Sequence, residues 1–203
     1  MVRVDGTEKS TGPGVFSISG KVERPGNYEA PMGATARELI AMAGGIKDGK
    51  QLKAFTPGGS STPFLTADHL DTAMDFDAVA AAGSLLGTKA MIVLDDRDCV
   101  VDTVLRFTRF YAHESCGKCT PCRVGGDWAV RTYERILSGE GDPHDLEILD
   151  RVQAGLQQGR CLCGLGDSAG WVIESTMKHF RDEYEEHCLR NECSAAKLKA
   201  ASA

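Results

Sequence analysis

Apolar and polar positions alternate with a period of two through VFSISGKV, from Val15, and the run stops at the Pro-Gly turn of ERPGNYEA, which leads into a second short strand. The pattern then changes. In ATARELIAMAGG, Leu39, Ile40 and Ala43 fall on one helical face, Thr35 and Glu38 have the spacing of a capping box, and Gly44-Gly45 suits a left-handed C-terminal cap. LKAFTPGG, TPFLT and AMIVLDD read as further strands, the last with a buried run from Met91 to Leu94, while DHLDTAMDFDAVAAAG between them reads as irregular. Strands, one crossing helix and more strands predict a small α+β domain over 13–96. The first dozen residues have no periodicity and read as a flexible entry over 1–12.

Beyond Asp98 the period becomes about 3.6. Four amphipathic segments follow. Val101, Val104, Leu105 and Thr108 form the first stripe, and Ala129, Val130, Tyr133, Ile136 and Leu137 the second. The third opens with Asp142 as N-cap and Pro143 at the first helical position, and turns Leu146, Leu149, Val152 and Leu156 inward. The fourth uses Val172, Ile173, Thr176, Phe180 and Tyr184. Each stripe needs a covering helix, so an all-α four-helix bundle over 97–190 is the economical arrangement. The tail, 191–203, has no stripe and reads as disordered.

Charge narrows the function. The chain has 23 Lys and Arg against 29 Asp and Glu, a net charge of −6, which disfavours sequence-independent binding to nucleic acid or anionic lipid. No apolar run approaches the roughly 20 residues of a membrane span, and MVRVDGTEKSTG lacks the apolar core of a secretory signal. Both point to a cytoplasmic protein with no direct membrane insertion. In a reducing compartment, eight cysteines read as metal ligands before disulfides.

Three of those cysteines stand in ESCGKCTPC at Cys116, Cys119 and Cys122, each two residues from the next. A structural zinc site usually takes its thiolates as two pairs, whereas three at repeated two-residue spacing with a distant fourth is the habit of a 4Fe–4S cubane. The fourth candidate lies in GRCLCGLGD at Cys161 or Cys163. Gly164 and Gly166 beside Cys163 would admit a bulky cluster, and Asp167 or Ser168 would cap the following helix. Thr120 and Pro121 read as N-cap and first residue of another helix, which sets Cys122 at a positive dipole end suited to a negative centre. Lys118 and Arg123 add positive charge there, as tuning groups and not ligands. Cys99 reads as a packed small hydrophobe, Cys188 and Cys193 as idle thiols or an interface, and His113 with Glu114 as the end of the first helix. His179, His187 and Cys188 do not suggest a second metal site, because histidines eight residues apart lie two helical turns apart.

ESCGKCTPCR, the forty residues between Cys122 and Cys163, and then CGLGD resemble the NADH- and flavin-binding subunit of respiratory complex I, the NADH-quinone oxidoreductase of bacteria. SISGKVERPGNYEAPMG resembles the same family's soluble-ligand-binding β-grasp (SLBB) domain, a ubiquitin-like fold. The resemblance runs from about Gly6 to Cys193. It implies a β-grasp domain followed by an iron–sulfur helical bundle, with Cys116, Cys119, Cys122 and Cys163 holding a 4Fe–4S cluster.

It also implies a role: electrons from NADH, by way of FMN, reach this cluster and continue through neighbouring iron–sulfur subunits of the NADH dehydrogenase module towards quinone, in a complex that makes the chain peripheral to the inner membrane. The family's Rossmann-like domain, which holds FMN and NADH, has no counterpart here, since no strand leads into a phosphate-cradling Gly-rich turn. FMN and NADH are therefore expected only in that other domain, itself a partner, and the isolated chain is not expected to oxidise NADH. Two alternatives accompany this reading. One is the diaphorase-type subunit of an NAD-dependent hydrogenase or formate dehydrogenase; the other is a non-redox interaction module with a structural zinc site.

Overall fold

In β1 (Pro13–Gly20) every second side chain is buried: Phe16 and Ile18 face the core, while Val15 is 55% exposed. This is the period of a strand with one covered face. A computed structural model describes residues 6–190 and 193–195. It divides into two compact units, Met1–Asp96 and Arg97–Ala203. Five strands in a mixed sheet and seven α-helices among the described residues make the fold class α+β.

The first unit adds β2 (Gly26–Pro31), α1 (Ala36–Met42), β3 (Leu52–Thr56), β4 (Leu65–Thr66), α2 (Phe76–Ala81) and β5 (Ala90–Asp95). The sheet order is β2-β1-β5-β3-β4, with β1 and β5 parallel at its centre and the other pairs antiparallel. The parallel pair needs a long crossover, and the chain between β1 and β5 supplies it with both helices. Leu39 and Ile40 of α1 and Val79 of α2 join Phe16, Ile18, Phe55 and Met91 in one core.

The helix signals act as the sequence predicts. Thr35 caps α1 through its hydroxyl, which accepts the Glu38 amide at 3.2 Å, and the Glu38 carboxylate accepts the Thr35 amide at 2.8 Å. Gly44 and Gly45 follow with φ of 88° and 87°. Thr35→Ala removes one half of this reciprocal pair and is expected to lower stability by about 1 kcal/mol, read from a shift in the urea midpoint at constant slope.

Two expectations fail in this unit. The stretch from Asp68 to Gly83 is not irregular throughout: Asp75 accepts the Ala78 amide at 2.7 Å and starts α2. Six residues are too few for a readable 3.6-residue period. The expected flexible entry is structured from Gly6 to Gly12, where Gly6 bridges Thr11, Ser10 is buried and its hydroxyl accepts the Phe76 amide at 3.4 Å. Residues 1–5 of that entry lie outside the described residues.

The second unit contains α3 (Val100–Glu114), α4 (Thr120–Arg135), α5 (Pro143–Leu156), α6 (Gly164–His179) and α7 (Arg181–Arg190), and α4 runs on as a π-turn over Ile136–Glu140. The stripes face inward as read, with Val101, Val104, Tyr133, Ile136, Leu146, Leu149, Val172 and Ile173 all buried. Asp142 caps α5 with Pro143 at its first position, and buried Asp145 completes a capping box and pairs with Arg135.

Among the described residues this unit has five α-helices where the sequence predicts four. Phe180, at φ −131° and ψ 31°, breaks the last segment, so Tyr184 belongs to α7 and not to α6. The break lets Tyr184 turn back: its hydroxyl meets Thr176 Oγ1 at 2.9 Å and the Tyr133 hydroxyl at 3.2 Å. Both tyrosines are fully buried, and burial pushes both phenols well above their usual range, so they stay neutral donors in this chain of hydroxyls. Of the tail expected to be disordered, Cys193 to Ala195 are described and Ala195 is buried; residues 191–192 and 196–203 lie outside the described residues.

Candidate iron–sulfur site

The connection from α3 to α4 carries Cys116 and Cys119, Cys122 lies in the first turn of α4, and the connection from α5 to α6 carries Cys161 and Cys163. Both connections lead directly into a helix N-terminus. Cys119 is the N-cap of α4, with Thr120 first and Pro121 second, a one-residue correction to the expected start. Cys163 is the N-cap of α6, so the helix begins ahead of Asp167 and Ser168, and Asp167 lies within its first turn.

Neither cysteine side chain takes a capping hydrogen bond from its own helix. The first amides of a helix have no partner in the preceding turn, and its N-terminus carries about half a positive charge. Two such ends beside two cysteine sulfurs form a setting for a centre with net negative charge.

Three contacts shape the site. The Leu162 amide donates to Cys119 Sγ at 3.2 Å, across 43 residues of sequence, and so ties one cysteine connection to the other. Ser115 Oγ lies 3.2 Å from Cys122 Sγ and accepts the Gly117 amide at 3.4 Å. Arg123 Nη1 donates to the Gly117 carbonyl at 2.6 Å, and Gly117 turns the loop at φ 77°, a left-handed conformation natural to glycine. Arg123 therefore braces the loop that presents Cys116, a role beyond the charge tuning the sequence suggests.

The two cysteines of RCLC differ. Cys163 is exposed at the mouth of α6, as Cys116 is in its own loop. Cys161 is buried against Gly166, where a Cβ would lie 2.5 Å from its sulfur. Burial pushes the Cys161 thiol up, and the neighbouring Cys122 and Cys119 push it further. Cys161 is thus buried beside Cys119 and Cys122, and Cys163 is exposed.

Other sequence candidates separate from this site. His113 and Glu114 end α3 in solvent with their side chains 4.0 Å apart. Cys188 lies against Gly141 in the turn before α5. Cys99 is no simple packed hydrophobe: it is the N-cap of α3, its sulfur accepts the Asp102 amide at 3.4 Å and lies 3.3 Å from His187 Nε2. Sequence reasoning missed this cluster, because Cys99 and His187 are 88 residues apart with no motif between them.

The donor chemistry fits an iron–sulfur cluster. Soft thiolates are offered from two loops that a sulfur-directed amide holds together, and small residues, Gly117 and Gly164, leave space beside Cys116 and Cys163. Among the described residues, no helix is long and apolar enough to cross a membrane.

Comparison with known proteins accounts for both units. Residues 102–187 match the family described as the NADH-ubiquinone oxidoreductase-F iron-sulfur binding region, and residues 15–65 match the SLBB domain family. The F subunit of the NADH-quinone oxidoreductase of Mycobacterium tuberculosis strain H37Rv is 51% identical over 188 residues, which are 93% of this chain and 42% of that protein. Its counterpart in Streptomyces coelicolor is 50% identical over the same shares. A crystal structure of NAD+-reducing [NiFe]-hydrogenase in the H2-reduced state superposes with a TM-score of 0.81 at 32% identity, covering 97% of this chain and 34% of that one. The chain thus spans less than half the length of the curated relatives it matches. By its SLBB domain and its 4Fe–4S-binding region, the chain belongs to the family of the NADH-quinone oxidoreductase F subunits.

Proposed function

We propose that this chain is the electron-transfer portion of an NADH dehydrogenase module of the complex I type, with Cys116, Cys119, Cys122 and Cys163 holding its 4Fe–4S cluster. The observation that carries this reading is the pairing of the two cysteine connections at the N-termini of α4 and α6, through the Leu162 amide on Cys119 Sγ. When bound, the cluster supplies a one-electron couple between reduced FMN and the next iron–sulfur centre.

The chain's own residues hold and tune that couple. Four thiolates bind the iron, the Leu162 amide and the Ser115 hydroxyl offer hydrogen bonds to sulfur, and such bonds stabilise added negative charge and raise the potential. Two helix ends act in the same direction. Arg123 fixes the loop so that Cys116 does not have to be ordered when the cluster binds.

The parallel β1–β5 centre flanked by antiparallel strands supports a β-grasp arrangement for 13–96. The inward stripes of α3 to α6 support a four-helix bundle over 97–190, to which α7 is added. The SLBB domain acts as scaffold or subunit contact. FMN and NADH would be held by another domain, the isolated chain would not oxidise NADH, and neighbouring iron–sulfur subunits would accept the electrons at the membrane periphery. The diaphorase-type alternative has support from the hydrogenase structure, but at 32% identity against 51% the complex I relationship is stronger.

Anaerobic purification followed by iron and acid-labile sulfide analysis tests the reading. About four of each per chain are expected, with broad visible absorption that dithionite bleaches. A protein without acid-labile sulfide after reconstitution with iron and sulfide would sink it.

A further inference from the structure

The start and the end of the helical unit meet at a second group of metal-ligating side chains. Cys99, the N-cap of α3, His187 of α7 and Cys193, three residues past the end of α7, bring two sulfurs and an imidazole nitrogen within 4.8 Å of one another. His187 is only 7% exposed, and both cysteines are half-buried. The imidazole is already aimed, with Nε2 at 3.3 Å from Cys99 Sγ.

Tetrahedral zinc, with bonds of about 2.3 Å to sulfur and about 2.0 Å to nitrogen, sets its sulfur and nitrogen ligands about 3.6 Å apart and its sulfurs about 3.8 Å apart. Cys99 Sγ and His187 Nε2, at 3.3 Å, are close to the first of these separations, and the pairs with Cys193 lie within 4.8 Å. Glu183 stands on the preceding turn of α7; it is buried, and its Oε1 accepts the Val100 amide at 2.7 Å. That bond places a carboxylate next to the same helix start, outside the three-residue group itself, where it can hold a water in the fourth position. A disulfide between the two cysteines would leave no role for the aimed imidazole.

We infer that Cys99, His187 and Cys193 form a structural zinc site, independent of the iron–sulfur site, that clamps the end of the helical unit to its start. Thiolates with imidazole select zinc over calcium or magnesium. Binding displaces one proton from each cysteine thiol to solvent and uses neutral His187, so the ion and its two thiolates balance in charge. Burial, with Cys193 and Glu183 close by, pushes the Cys99 thiol up to about 12, so without a metal it stays protonated. Bridging Cys99 and Cys193 closes a loop that contains all five described α-helices of the unit and the five candidate iron–sulfur cysteines, which restrains the unfolded chain.

The test uses the full chain, purified anaerobically with its cluster, given one equivalent of Zn2+, desalted and analysed for zinc, iron and sulfide. About one zinc per chain in addition to cluster iron is expected, falling to under about a tenth in C99S/C193S with iron and sulfide unchanged. Serine is itself a good N-cap, so this variant should fold. In C116S/C119S/C122S the iron should vanish and the zinc remain, which separates this site's fate from that of the cluster. Zinc-edge X-ray absorption on the unmutated protein reads the ligands without any variant, and should give two sulfurs with imidazole. The inference is overturned by any of four results: no retained zinc, a shell of four sulfurs, zinc lost with the triplet, or a Cys99–Cys193 disulfide in the freshly reduced protein found by mass and thiol labelling.

Discussion

Cys163→Ser is expected to leave the chain without a stable cluster, reducing iron from about four per chain to below about one, while Cys161→Ser retains most of it. The difference comes from where the two sulfurs stand. Cys163 is exposed at the start of α6, beside a helix end whose amides it does not itself occupy. Cys161 is buried against the first turn of α6, with Gly166 kept small to admit its sulfur. Yet it also lies next to Cys119 and Cys122, so the experiment has a real alternative to reject. Iron and sulfide content of the two variants, each with a far-UV spectrum to confirm folding, decides between them. If Cys161→Ser loses the cluster and Cys163→Ser keeps it, the fourth ligand is Cys161.

Gly20→Ala is expected to destabilise the first unit by about 3 kcal/mol or more. Gly20 has a φ of 87°, and a Cβ there would run into the carbonyl oxygen and amide of Val93 on the neighbouring strand. The obstruction is backbone, so no side-chain rotation can relieve it. It falls where β1 pairs with β5, next to the bond from the Lys21 amide to the Val93 carbonyl at 2.8 Å. Both tryptophans, Trp128 and Trp171, lie in the other unit, so their fluorescence does not report on this loss. Hydrogen exchange at β5 amides does. Faster exchange in β5 with unchanged exchange in α5 is the expected result; unchanged β5 exchange would show that the sheet absorbs the added methyl.

Local signals were legible wherever neighbours in sequence carry the physics. The Thr35–Glu38 capping box, the Asp142-Pro143 start and the inward stripes of α3 and α5 all depend on residues no more than four apart. Short elements were not. α2 has six residues, and the one-residue shift in the start of α4 reflects a cysteine, not a threonine, with N-cap backbone angles. The break at Phe180 escaped because the buried positions keep a helical spacing on both sides of it, and only the hydroxyl contact between Tyr133 and Tyr184 explains why the chain must turn there.

By itself, the sequence pointed to the kind of chemistry: three thiols at repeated two-residue spacing suit soft ligation of a cluster, since ligand type and spacing are local properties. Tertiary structure decided which distant groups share a site. Folding alone brought the Leu162 amide to Cys119 and sorted Cys161 from Cys163 by burial. It also carried His187 and Cys193 back to Cys99. Such meetings are set by helix packing and by the break between α6 and α7, and packing has no period along the chain from which to read them.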